Sequence, residues 1–209
     1  MLKGRLHEGP AIFCRNSSLQ PTPHQDDTIP MATQPMHERF VPVEEYLSAV
    51  YEHDCEYDNG VIVERPLGEF EHAYLQTLLA TLFTNNRTQW GAFGIVEQRV
   101  QIGPRRFLVP DICVLRAGSP TPSIISEPPL IAIELLSPED TLLRTARKAS
   151  EYLAFGVLHV WVIDPKKRLA YRGTEKGLEL IPEGEFSVPG TPIRVCLAEL
   201  FEDMDRLRG

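Results

Sequence analysis

Residues 130–136 read Leu130-Ile131-Ala132-Ile133-Glu134-Leu135-Leu136, continuously apolar except for Glu134. The run lacks the polar alternation of a half-exposed strand and predicts a central strand buried on both faces. Burying an ionised carboxylate costs several kcal/mol unless it is paired or holds a metal, so Glu134 requires a partner. Val109-Pro110-Asp111 poses the same question, because Asp111 stands beside a second apolar run, 23 positions before Glu134. The two carboxylates meet only if their strands are neighbours, as a mixed sheet would arrange.

The surrounding pattern predicts an α/β domain over residues 39–209. Residues 1–38 contain prolines at 10, 21, 23, 30 and 35 and no sustained periodicity, the pattern of a disordered tail. Met31, just before the first patterned segment, is a candidate native start. Val43–Glu52 follows a helical period, and Asn59-Gly60 within residues 56–63 marks a hairpin. From Glu71 to Thr84, Tyr74, Leu75, Leu78, Leu79, Leu82 and Phe83 share a helical face, with Asn85-Asn86 as the expected stop. Two strand-like runs, Ala92–Ile102 and Phe107–Leu115, flank Gly103-Pro104-Arg105-Arg106 and read as one hairpin; residues 118–129 read as a loop.

Thr141–Phe155 reads as a helix that ends at Gly156. Leu142, Ala146, Ala149, Tyr152 and Leu153 are expected inward, with Arg144, Arg147 and Lys148 on another side. A strand over His159–Pro165 then makes the order strand, helix, strand, which predicts a parallel pair. Arg168–Arg172 is its expected hairpin partner. Leu178–Ile181, Ile193–Leu197 and a short helix from Ala198 complete the domain.

Cys14, Cys55, Cys113 and Cys196 are scattered without a Cys-x-x-Cys pair and read as buried thiols rather than zinc ligands. No apolar run has the length of a membrane span or a signal sequence, so the expected location is the cytoplasm. The net charge of -8 and pI near 5.3 speak against a uniformly basic nucleic-acid binder. Locally the sign reverses: Arg144 to Arg172 holds seven Lys or Arg against Glu151 and Asp164. That segment reads either as a phosphate-binding patch or as a solvated helix face and turn.

Two carboxylates converging with a main-chain carbonyl offer hard oxygen ligands, which suit magnesium, with manganese as a substitute. Such an ion polarises a phosphodiester and lowers the pKa of a bound water. A nearby lysine ammonium would stabilise the charge that develops on phosphate. Alternatively, Asp111 caps a turn, Glu134 pairs with a structural arginine and Lys148 is solvated.

Pro110-Asp111, Glu134-Leu135-Leu136-Ser137-Pro138, Lys148 with Tyr152, and Gly156 through Pro165 together resemble the Uma-two family of restriction-endonuclease-like proteins, a branch of the PD-(D/E)XK nuclease superfamily. Glu56, Asp58-Asn59-Gly60 and His72 extend the resemblance, which spans about residues 40 to 197. It implies a restriction-endonuclease-like mixed central sheet flanked by helices and magnesium-dependent hydrolysis of DNA. Asp111 and Glu134, with the Leu135 carbonyl, would be the metal ligands, and Lys148 the catalytic lysine. The superfamily's usual lysine, two places after the glutamate, is Leu136 here. Glu56 and His72 would be outer catalytic members, a second metal ligand and a phosphate or water contact, or else simply a surface hairpin acid and a helix N-terminal histidine. Arg144 and Thr145 stand where the family commonly carries an acid, and Arg144 and Arg147 are candidates for substrate binding. A homodimer would suit cleavage of two strands. Two other classes are a degenerate nuclease that binds nucleic acid or a protein without cutting, and a structural oligomer bridged through its carboxylates.

Overall fold

The structure, a computed structural model, describes residues 40–51, 55–66 and 68–207. The expected tail over residues 1–38 lies outside the described residues, as do Cys14 and Glu52. The elements are, in order, α1 (Val43–Ser48), β1 (Cys55–Asp58), β2 (Val61–Glu64), α2 (Phe70–Trp90), β3 (Ala92–Val96), β4 (Val100–Gly103), β5 (Arg106–Leu108) and β6 (Ile112–Arg116). There follow β7 (Ile131–Leu135), α3 (Leu142–Phe155), β8 (His159–Asp164), β9 (Leu169–Thr174), β10 (Gly177–Leu180), β11 (Glu185–Ser187), β12 (Arg194–Cys196) and α4 (Leu197–Arg206).

A six-stranded sheet in the order β10-β9-β8-β7-β6-β3 forms the centre. It is mixed: β7 and β8 are parallel, joined by α3 as the strand, helix, strand order predicts, and the other neighbours are antiparallel. The all-buried run from Ile131 to Leu135 is β7, inside this sheet. Side chains alternate across a strand. Ile131, Ile133 and Leu135 therefore pack with Leu75, Leu79 and Phe83 of α2 and with Phe201 and Met204 of α4. Ala132 and Leu136 face the other way, onto Ala149 and Tyr152 of α3. Glu134 has the parity of Ala132 and Leu136, and so faces α3.

A second sheet, β2-β1-β5-β4, has four strands. Its β1 and β2 form the hairpin that Asn59-Gly60 predicts, with Asn59 at φ 50° and Gly60 at φ 104°. The expected single hairpin over residues 92–115 is instead divided between the two sheets. Only β4 and β5 pair across the turn, whereas β3 and β6 pair with each other in the six-stranded sheet. One run breaks at Glu97, which has φ 52°; the other breaks at Pro110, whose missing N–H cannot join a ladder.

Other departures are local. The first helix ends at Ser48, before the expected boundary. Helix α2 continues past Asn85-Asn86 to Trp90, where Gly91 takes a left-handed conformation at φ 60°. Asparagine weakens a helix only modestly, and the buried face that ends in Phe83 carries this one onward. Leu142 is exposed rather than inward, while Thr145 is buried. Strand β11 is an addition to the expected elements, paired with β12. Cys55 and Cys113 are buried thiols and Cys196 is partly buried; burial pushes the Cys113 thiol up to about 12. No helix among the described residues is long and apolar enough to cross a membrane.

Candidate active site

Asp111 lies immediately before β6, and Glu134 is on its antiparallel neighbour β7. The register pairs Ile112 with Ile133, so Asp111 and Glu134 fall at the next step of the same ladder. Both are buried, at 2% and 7% exposure. The second sheet contributes Glu56 from β1, 4% exposed, and the chain after β2 contributes Arg65. His72 enters from the first turn of α2, and Lys148 and Tyr152 from α3.

Lys148 is the hub of one half of the site. Its Nζ lies 2.9 Å from both Glu134 oxygens and 2.5 Å from Glu56 Oε1, and it donates to the Val109 carbonyl at 3.3 Å. The lysine therefore clamps a carboxylate of one sheet to a carboxylate of the other. Tyr152, one helical turn further along, donates its hydroxyl to Glu134 Oε1 at 2.9 Å. The Val109 N–H reaches Glu56 Oε1 at 3.3 Å. Arg144 and Thr145 leave α3 without an acid at the family position before Lys148; Glu56 brings one from β1.

Asp111 is the hub of the other half. Its Oδ2 accepts the Leu135 N–H at 2.6 Å and lies 3.4 Å from His72 Nε2, while Oδ1 pairs with the Arg65 guanidinium. Gln76 steadies the backbone by donating to the Asp111 carbonyl at 3.0 Å. Arg65, Gln76 and the Glu56–Lys148 pairing are absent from the sequence reading. Arg65 carries no periodic signal there; only its position between Glu64, at the end of a β-branched run, and Pro66 sets it apart.

Electrostatics separate the two central carboxylates. Burial pushes the Asp111 carboxyl up, but the contact from His72 and the charge of Arg65 together hold it below the usual range. Burial dominates at Glu134: although Lys148 opposes the shift, Asp111 and Glu56 reinforce it, and its pKa rises to about 7. Burial disfavours the Lys148 ammonium, yet Glu134 and Glu56 outweigh it and raise the lysine above its ordinary value. His72 is likewise raised, because Asp111 overcomes the cost of burying the imidazolium.

These groups line a cavity of about 50 Å³, together with Leu135, Arg144 and Asp140. A larger cleft of about 500 Å³ adjoins it, sharing His72, Leu136, Ser137 and Asp140. The small cavity suits an ion or water, whereas the large one has the scale of a small-ligand site. Arg144 is at the rim, but Arg147 is exposed and does not line either space. Of the basic segment, only Arg144 and Lys148 line the small cavity. Arg168 pairs with Asp205 and Lys167 with Asp164, and the larger cleft has Glu69, Glu71, Asp140 and Asp164 beside Lys166 and Lys167.

Among the described residues, no three His, Cys, Asp or Glu side chains form a ready-made metal cluster. The carboxylates gather around Lys148 and Arg65 instead. Their chemistry nevertheless fits a hard divalent cation: Glu56, Asp111 and Glu134 set three buried carboxylates against two fixed cations, and the donors are oxygen throughout.

Comparison with known proteins adds four findings. Residues 43–186 match the Uma2 (Uma-two) family model, described as "Putative restriction endonuclease". A crystal structure described as a putative nuclease belonging to DUF820, from Anabaena variabilis, is similar at a TM-score of 0.67 and 22% identity, over 78% of this chain and 98% of that one. The cryo-EM structure of the DrdV–DNA complex overlaps at a TM-score of 0.34 and 19% identity, over 62% of this chain and 11% of that one. A search of curated proteins finds no match. The likeness to the Anabaena protein is one of fold: a central mixed sheet with flanking helices.

Proposed function

The chain belongs to the Uma2 family, described as "Putative restriction endonuclease", and from that premise we propose that it is a metal-dependent endonuclease that hydrolyses DNA phosphodiesters. The observation that carries this reading is the convergence of Glu56, Asp111, Glu134 and Lys148 from two sheets and a helix beside an open cleft. Asp111, Glu134 and the Leu135 carbonyl would hold magnesium, or manganese in its place. When bound, the ion supplies Lewis-acid polarisation of the phosphodiester and lowers the pKa of a water.

The protein's own groups have separate tasks. Lys148 brings a positive charge against the anion that develops on phosphate, in a water-poor setting where that charge is most effective. Glu56 holds the ammonium in place, and the Tyr152 hydroxyl fixes the Glu134 carboxylate that faces it. The Leu135 N–H and Gln76 fix Asp111 and its backbone. His72 lines both the small cavity and the larger cleft, within reach of an incoming phosphate or water. Arg144 at the rim contacts the DNA backbone, and Arg147, on the same helix, adds to the field.

The test is incubation with plasmid, single-stranded and branched DNA in magnesium or manganese, beside Asp111→Ala. Cleavage by the native chain alone is expected. Equal cleavage by both, or none by either on any substrate, overturns the catalytic reading. A non-cutting protein that binds nucleic acid or a protein partner is the second reading, favoured by the saturation of the carboxylates by Arg65 and Lys148. Failure to take up magnesium or manganese in calorimetry would select it.

A further inference from the structure

Arg65 sits where a positive ion is most needed. Its side chain is 15% exposed, its Nη2 is paired with Asp111 Oδ1, and its Nη1 lies 3.8 Å from Glu97 Oε1. Glu97 is half-exposed and linked to the same aspartate through its N–H, which donates to the Asp111 carbonyl at 3.2 Å. It also takes φ 52°, a left-handed conformation that a glutamate rarely adopts. One guanidinium thus spans two acids, one buried beside Glu134 and one at the surface.

We propose that Arg65 is an internal countercharge that occupies the metal-binding oxygen of Asp111 and yields it to an incoming divalent cation by moving onto Glu97. The inference rests on the reading of Asp111 as a metal ligand. Without a divalent cation or Arg65, the three buried carboxylates would face only Lys148 and the His72 imidazole, a costly excess of negative charge. Arg65 offsets one of those negative charges. A guanidinium on Oδ1 and a divalent ion on the same oxygen exclude each other, both by occupying its lone pairs and by repulsion at close range. Arginine suits the task because its rigid fork touches both acids at once, so transfer between them requires a short movement. Lys148, with Glu56, Glu134 and the Val109 carbonyl around it, has no comparable surface acid among its contacts.

Two consequences follow. Arg65 lowers the affinity of the site for metal while stabilising the metal-free fold. Glu97 raises the affinity, because it receives the displaced guanidinium.

Manganese titration by calorimetry, paired with thermal melting in chelator and in manganese, tests this on the full chain. The native protein, Arg65→Gln, Glu97→Gln and Asp111→Asn are compared. Arg65→Gln is expected to bind manganese about tenfold more tightly or better, to melt lower in chelator and to recover more on adding manganese. Glu97→Gln is expected to bind several-fold more weakly and to melt unchanged in chelator. If the native chain binds and Asp111→Asn does not, but Arg65→Gln and Glu97→Gln match the native affinity, the countercharge is overturned while the metal reading stands. If neither the native chain nor Arg65→Gln takes up manganese, the metal reading itself falls, and this inference with it. Should Arg65→Gln fail to fold, the half-exposed Glu97→Gln decides: native affinity there overturns the proposal, and weakened binding supports it.

Discussion

Lys148 holds two buried carboxylates at once, and its removal isolates both. Lys148→Met should cost about 3–5 kcal/mol in urea denaturation, because Glu56 and Glu134 lose their common cation. Adding Glu134→Gln to that variant should recover part of the loss, as expected for residues in direct contact. Tyr152→Phe removes a single buried hydrogen bond to Glu134 and should cost about 1–2 kcal/mol. Away from the site, His159 supplies a pH dependence. Burial, then repulsion from Arg172 and Arg116, depresses its pKa below the ordinary 6.5. The unfolded chain therefore binds this proton more readily, and the stabilising contribution is present above pH 6.5 and lost as pH falls through the depressed value. His159→Gln should flatten that part of the stability profile measured by denaturation between pH 7 and 5, a range chosen from the ordinary histidine pKa of about 6.5.

The elements differ in how far local pattern defines them. Local pattern bounds helix α3 at Thr141, whose hydroxyl accepts the Arg144 N–H, and at Gly156, which takes φ 108°. Its rotation is only partly legible: Ala149 and Tyr152 are buried as the period predicts, but Arg144, Arg147 and Lys148 look alike in sequence, and only packing turns Lys148 inward with Thr145 and Tyr152. The i, i+4 relation of Lys148 to Tyr152 was the signal available, since such residues share a face. This packing makes Gly173 critical. A Cβ there would meet Val160 Cβ at 2.9 Å and Ala149 Cβ at 3.3 Å, between β8, β9 and α3. Gly173→Ala should destabilise by about 1–3 kcal/mol through overpacking, read as a lower urea midpoint.

At the scale of the molecule, the face of the central sheet away from Lys148 is closed by α2, α4 and the β11–β12 pair. Phe186 stacks on Trp161 with ring centroids 4.6 Å apart. Phe186→Ala should cost about 3–5 kcal/mol, measured by chemical denaturation. The sequence alone determined the buried strand around Glu134, the parallel strand, helix, strand unit and the first hairpin. Each is written in neighbouring residues, as an apolar run, a helical period or an Asn-Gly turn. It also singled out Asp111 and Glu134, because charge inside an apolar run is conspicuous wherever the chain goes. Tertiary structure decided how residues 92–115 divide between two sheets, which face of α3 turns inward, and that Arg65 meets Asp111 and Glu56 meets Lys148. Those partners come from separate elements, so their pairing follows from three-dimensional charge balance and has no local period to reveal it.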